Sequence, residues 1–196
     1  MGVLKNLTTR FLIITLTLII CKQARPNNLC ESIIIPNDRS VDLSIHREKT
    51  DSDVKWKITG AFVVDQELNK TYESAKKIER LENVIPLVNI FNLSEDRTDL
   101  QCGLQIFFGV KFQQTFKIEP QDSEKKINVR FIQGSFKGLQ GQVCFLEKGQ
   151  NQTAVTFITS GRLTSDPVPF FLTNSMLEGL SKSVLRRWRT DIESQN

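Results

Sequence analysis

Two stretches in the first third of the chain alternate apolar with polar residues. Val41, Leu43 and Ile45 interleave with Asp42, Ser44 and His46, and residues 54–64 continue in extended fashion after the charged stretch 47–53. Successive side chains of a strand point to opposite faces, so both stretches are predicted as strands with a buried face. From Asp65 the period changes. Leu68, Tyr72, Ala75, Ile78 and Leu81 recur at three- and four-residue spacing, which places them on one stripe of a helix with Asp65 as its N-cap. That stripe reads most simply as core. A further turn at 82–84 ends at Pro86, which cannot continue a helix.

Beyond Pro86 the alternation returns in several segments separated by turn or charge signals. Residues 87–93 lead into Ser94-Glu95-Asp96-Arg97; then Leu100, Cys102, Leu104, Ile106 and Phe108 share one face, and Gly109 marks a reversal. Phe112, Phe116 and Ile118 face away from Lys111, Gln113, Thr115 and Lys117. The next strands carry Ile127, Val129 and Phe131, then Leu139, Val143 and Phe145, then Val155 and Phe157. Meandering strands with short turns predict an antiparallel sheet, since parallel strands need long crossovers. The end of the chain is helical again. Asp166-Pro167 is read as a cap and first-turn proline, and Phe171, Leu172, Met176, Leu177, Leu180, Val184 and Trp188 form an apolar stripe. Lys182, Arg186, Arg187 and Arg189 follow, and the bland reading of that cluster is stabilisation of the helix's negative end.

Composition sharpens this picture in three places. Thirteen phenylalanines stand against one tyrosine, and a Phe-rich interior can face a dry cavity because its rings need no hydrogen-bond partner. The net charge of +4 is carried by Lys5, Arg10, Lys22 and Arg25 at the N-terminus; setting those four aside leaves 22 basic against 22 acidic residues. A balanced chain has little long-range attraction for phosphate backbones, which argues against nucleic acid as a partner. The opening reads as a targeting segment over residues 1–25, with a basic flank, the apolar stretch 11–20 and a polar exit. Ten residues fall short of the roughly 20 that cross a bilayer. Leu18-Ile19-Ile20-Cys21 resembles a bacterial lipobox, with Ile20 where that pattern has a small residue, so acylation at Cys21 and membrane association through the N-terminus are weighed beside simple export. Residues 26–40 read as a linker and 41–196 as one domain. Cys30, Cys102 and Cys144 remain, so at least one thiol is unpaired; with His46 the only histidine, no metal site is expected.

The segment Ile127 to Gly141 carries a resemblance. A strand runs into Gly134-Ser135-Phe136-Lys137-Gly138-Leu139 and out through Gly141 into the next strand, which is similar to the Gly-x-Phe-x-x-Leu turn of the START-like polyketide cyclase and coenzyme Q-binding family. Val143 stands where family members commonly have tryptophan. The order of elements over residues 54–193 matches that family's as well. The resemblance implies an α+β helix-grip fold, a curved antiparallel sheet wrapped around a long C-terminal helix, with a cavity between them that takes a lipid, quinone, polyketide or steroid. The ligand-cavity residues expected are Leu104, Ile106, Phe108, Phe112, Phe116, Val129, Phe131, Val143, Phe145, Phe157, Phe171, Leu172 and Met176. Burying about 300 Å² of ligand surface contributes roughly 7 kcal/mol before association costs, so no polar anchor is required.

Catalysis would need an acid or base in the pocket. The inward positions carry almost none, and Asp99 and Glu119 sit at strand ends, where a solvated turn residue is the commoner outcome. The expectation is therefore a monomeric, exported binder of a hydrophobic small molecule, without cofactor or catalytic residues. A cyclase- or dehydratase-like enzyme using the same cavity, and a partner-binding module, are the alternatives.

Overall fold

A computed structural model of the chain describes residues 29–85, 88–105, 111–169 and 172–195. The chain divides into two units, Met1–Ser32 and Ile33–Asn196. Of the first, the described part is a 3-10 turn at Leu29–Ser32, and the targeting segment with Cys21 lies outside the described residues. Among the described residues, the second unit holds every strand and all three α-helices.

Strands β1 (Val41–Lys49) and β2 (Val54–Val64) form a hairpin. Its turn is closed by Thr50, whose Oγ1 donates to Asp53 Oδ1 at 2.8 Å. Along β1 the alternation has its expected result: Val41, Leu43 and Ile45 are buried, while Asp42, Ser44 and His46 are exposed. Helix α1 (Leu68–Ala75), a 3-10 turn at Ile78–Arg80 and the short α2 (Leu81–Val84) then carry the chain onward. The meander comprises β3 (Val88–Leu93), β4 (Asp99–Gln105), β5 (Lys111–Gln121), β6 (Lys126–Gly134), β7 (Gln140–Gly149) and β8 (Gln152–Leu163). Helix α3 (Asn174–Glu193) follows.

All eight strands form one sheet in the order β1-β2-β8-β7-β6-β5-β4-β3, every neighbouring pair antiparallel. The hairpin and the meander thus join through β2 and β8, and the helical crossover spans the sheet from β2 to its far edge at β3. This is the α+β helix-grip architecture, with the sheet wrapped around the long terminal helix. Helix α3 guards the β1 edge, because Glu178 Oε1 accepts the Ile45 N–H at 2.9 Å; a sheet edge left open is a template for unwanted pairing. At the β6–β7 turn, Gly134 and Gly138 have φ of +97° and +103°, which side chains rarely adopt. A Cβ at Gly134 would also sit 1.9 Å from the Gln113 carbonyl oxygen. Gly141 is extended, and its role is close approach: a Cβ there would meet Ile158 O at 2.5 Å.

Four helical expectations are corrected. The first helix begins at Leu68 after Glu67, without a capping side chain. Asp65 is engaged elsewhere, in an ion pair with Arg39 at 3.0 Å and as acceptor from Gln152 at 2.9 Å. The predicted continuous helix to Leu81 also breaks at Lys76–Lys77, where Lys77 has a ψ of 73°, yet the apolar stripe stays on one side through the break. The last helix starts at Asn174, with Thr173 as N-cap accepting from the Met176 N–H at 3.3 Å. Asp166-Pro167 does not start it, because Pro169 disfavours helical backbone at Val168. Asp166 instead accepts from Val168 N–H at 3.1 Å and pairs with Arg47. Finally, the basic cluster does not sit in the last turn of α3. That turn holds Asp191 and Glu193, which would oppose the helix dipole, and each meets an arginine: Arg80 at 2.6 Å and Arg39 at 2.7 Å.

Candidate functional site

The inner face of the sheet, the crossover helices and α3 converge on an apolar cavity. From the sheet come Ile118 of β5, Ile127 and Val129 of β6 and Val143 of β7; from the crossover Ala75, Ile78, Leu81, Val84 and Ile85; from α3 Val184, Leu185 and Trp188. The three strands deliver their residues at matched heights, since Ile118 is paired with Val129 and Ile127 with Val143. Period-two alternation then keeps Asn128 and Gln142 on the other face. The cavity holds about 210 Å³. Apolar cavities near 150 Å³ stay dry and admit a benzene-sized guest, so this one has room for a ring or a stretch of alkyl or isoprenoid chain.

Phe116, Val129, Phe131, Phe136, Val143 and Phe157 pack against the core clusters yet keep accessible surface, whereas Ala61, Val63, Ala154 and Thr156 on the opposite face are sealed. Phe116 and Phe131, cross-strand partners, meet edge to face with centroids 4.8 Å apart. Phe136, in the β6–β7 turn, touches Phe131 at 6.4 Å, Phe112 at 5.7 Å and Trp56 at 5.5 Å. These rings join the cluster of Leu43, Ile45, Trp56, Leu139 and Leu172 to the cluster around Phe62, Tyr72 and Phe145, and Leu185 packs against both.

Of the expected ligand-cavity residues, Val129 and Val143 line the cavity. Phe116 and Phe131 form the ring pair beside it, and Phe112, Phe157 and Leu172 lie toward the Trp56 end. Phe145 is buried against Tyr72, with centroids 5.3 Å apart. Met176 is corrected: it is 50% exposed, because the inward stripe of α3 runs through Leu177, Leu185, Trp188 and Ile192 and Met176 lies about 100° round the helix from Leu177. Ile106, Phe108 and Phe171, and the side chain of Leu104, lie outside the described residues. The wall missed in the sequence is the crossover, Ala75 to Ile85. Its signal was the apolar stripe read as plain core.

Titratable groups stand around the cavity. Tyr72 donates to Asp122 Oδ1 at 2.9 Å and to the Lys126 carbonyl at 3.3 Å, and its hydroxyl is pushed up to about 12 by burial and then by that carboxylate. Asp122 is held below its ordinary value by hydrogen bonds from Lys76 and Tyr72. Glu119 meets Arg130 at 2.6 Å, an exposed ion pair of little energetic weight. Burial pushes the free thiol of Cys102 up, away from the reactive thiolate. Among the described residues no group of histidine, cysteine and carboxylate could hold a metal ion, and no helix is long and apolar enough to cross a membrane.

No family model and no curated protein matches the chain. Solved structures do, at the level of fold. A protein of Thermus thermophilus superposes with a TM-score of 0.58 at 16% identity over 70% of this chain and 97% of its own. The Zhui aromatase/cyclase of a Streptomyces species gives 0.54 at 10% identity, covering 72% and 93%. Norcoclaurine synthase of Thalictrum flavum, solved with dopamine and hydroxybenzaldehyde, gives 0.54 at 13% identity, covering 74% and 90%. A START superfamily protein of Mycobacterium smegmatis gives 0.51 at 14% identity over 71% and 95%. These structures share the helix-grip fold described above, and at these identities the likeness concerns fold alone.

Proposed function

We propose that this protein binds and carries or sequesters a hydrophobic small molecule, a lipid, quinone or polyketide-like compound, in the cavity between sheet and α3. The observation that carries this reading is the 210 Å³ space whose twelve lining side chains are all apolar. Such a wall offers a ligand burial and exclusion of water, at about 25 cal/mol per Å² of apolar surface removed from solvent. A cyclase or synthase would need an ionisable group at the reacting atoms. The ionisable groups described around the cavity are held in ion pairs, hydrogen bonds or strand-end turns, and the Cys102 thiol is buried and pushed up, so we place the chain among binders rather than enzymes, despite the catalytic relatives by fold.

The same reading puts the protein outside the cytoplasm, as a monomer. Export is supported by the basic flank and apolar stretch of residues 1–20. Membrane association, where it occurs, is assigned to the N-terminal segment. Mass spectrometry of protein purified without detergent, sprayed intact and then denatured, is expected to release one class of apolar compound in near-stoichiometric amount. Protein that is empty from its native source, and that binds none of a panel of lipids and quinones, overturns the proposal.

A further inference from the structure

Two buried donors near the cavity have nothing to donate to. Gln114 on β5 is 3% exposed, and its Nε2 has no partner; Trp56 on β2 is 4% exposed, and its indole Nε1 has none either. Both flank Phe136. The Trp56 ring meets Phe136 edge to face at 5.5 Å, and Gln114 Oε1 accepts the Phe136 N–H at 3.1 Å, which leaves the amide's Nε2 as the unpartnered end. Leaving such donors buried and unpaired is costly, and native structures rarely tolerate it without an ordered water, an ion or a ligand group to complete them. Phe131 and Phe136 beside them keep accessible surface. Four residues along β5 from Gln114 stands Ile118, in the wall of the apolar cavity. That is about 13 Å at the strand rise.

We propose that the Phe136 end of the sheet's inner face recognises a neutral oxygen acceptor on the ligand, a carbonyl of the quinone, ketone or ester class, through Trp56 Nε1 and Gln114 Nε2, with the ligand's apolar portion in the cavity. The inference rests on the binding reading above. Neutrality follows from the charges present. Among the described residues, Arg47 is the cation beside this end, 5.4 Å from the centre of the Trp56 ring, and its guanidinium is already committed to Asn174, Asp166 and the Leu172 carbonyl. An anionic head group would enter a site whose free donors are uncharged and whose cation is taken, so desolvation would go uncompensated. A neutral carbonyl loses little on leaving water and completes two orphaned donors.

The test compares matched probes on the intact protein: methyl decanoate against dodecane, and a fully substituted benzoquinone with a decyl chain against decylbenzene. The chain has two tryptophans, so its indole N–H resonances report separately on the two ends, Trp188 in the cavity wall and Trp56 near Phe136. The expected result is that every bound probe moves the Trp188 signal and only oxygenated probes move that of Trp56. At least one oxygenated probe should bind roughly tenfold more tightly than its hydrocarbon partner. Trp56→Phe and Gln114→Leu should each remove most of that preference and leave hydrocarbon affinity within about twofold. Preference for the quinone alone, the ester alone or both assigns the source of the carbonyl. Equal affinities within each pair, or a preference that survives both substitutions, overturn the inference and leave the binding reading intact. Failure of all four probes to bind overturns both.

Discussion

Tyr72 is the chain's single tyrosine, so its ionisation can be followed alone. Burial and the Asp122 carboxylate both disfavour tyrosinate, which raises the folded value to about 12 from an ordinary 10. An ultraviolet titration of the native protein should find its midpoint about two pH units above that of the denatured chain. Between pH 10 and about 12 the folded state therefore holds a proton that the unfolded state has lost. The stability Tyr72 contributes is complete below pH 10 and declines through that window; Tyr72→Phe should flatten the decline in denaturation midpoints measured across it. Residues also show how far sequence reading reaches. Val129 and Val143 were legible as cavity residues because alternation alone fixes a strand's inward side. Gln114 shares that parity with Phe112 and is buried, but its polarity concealed it from a reading that sought apolar inward positions. Met176 failed for the opposite reason, since an apolar residue one position off a helical stripe is turned toward solvent.

Elements follow from local chemistry, and their ends depend on competition for the same groups. Thr173 caps α3 through its hydroxyl, so Thr173→Ala is expected to cost about 1 kcal/mol in chemical denaturation. Asp166→Ala should leave the helix start unchanged by amide chemical shifts, because that carboxylate serves Val168 and Arg47 instead. The strands of the meander were readable from period and turn residues, including the glycine pair that bends β6 into β7. Helix boundaries were less so. Asp65 has the side chain of a cap, but Arg39 and Gln152, distant in sequence, occupy it in the folded chain. Likewise the basic residues of α3 suit a C-terminal turn by composition, yet the helix continues past them to two carboxylates neutralised by Arg80 and Arg39.

At the scale of the molecule, the hollow itself is the property under test. Val143→Phe places a ring in a space of about 210 Å³. It should lower retention of the apolar ligand at least tenfold in the mass-spectrometric assay, while stability moves by no more than about 2 kcal/mol, since filling a void offsets part of the strain of overpacking. Equal retention by the variant would mean that ligand lodges elsewhere. By itself the sequence determined the eight strands, the antiparallel meander and the apolar parity of each strand, because these depend on a period of two residues that neighbours along the chain enforce. Only the tertiary structure decided that β2 lies against β8, that the crossover helices form a wall rather than mere core, and that two donors remain unpaired beside Phe136. Those outcomes depend on sheet curvature and on which distant groups meet, and a pattern of polarity along the chain specifies which side a residue faces without saying how much empty space it faces.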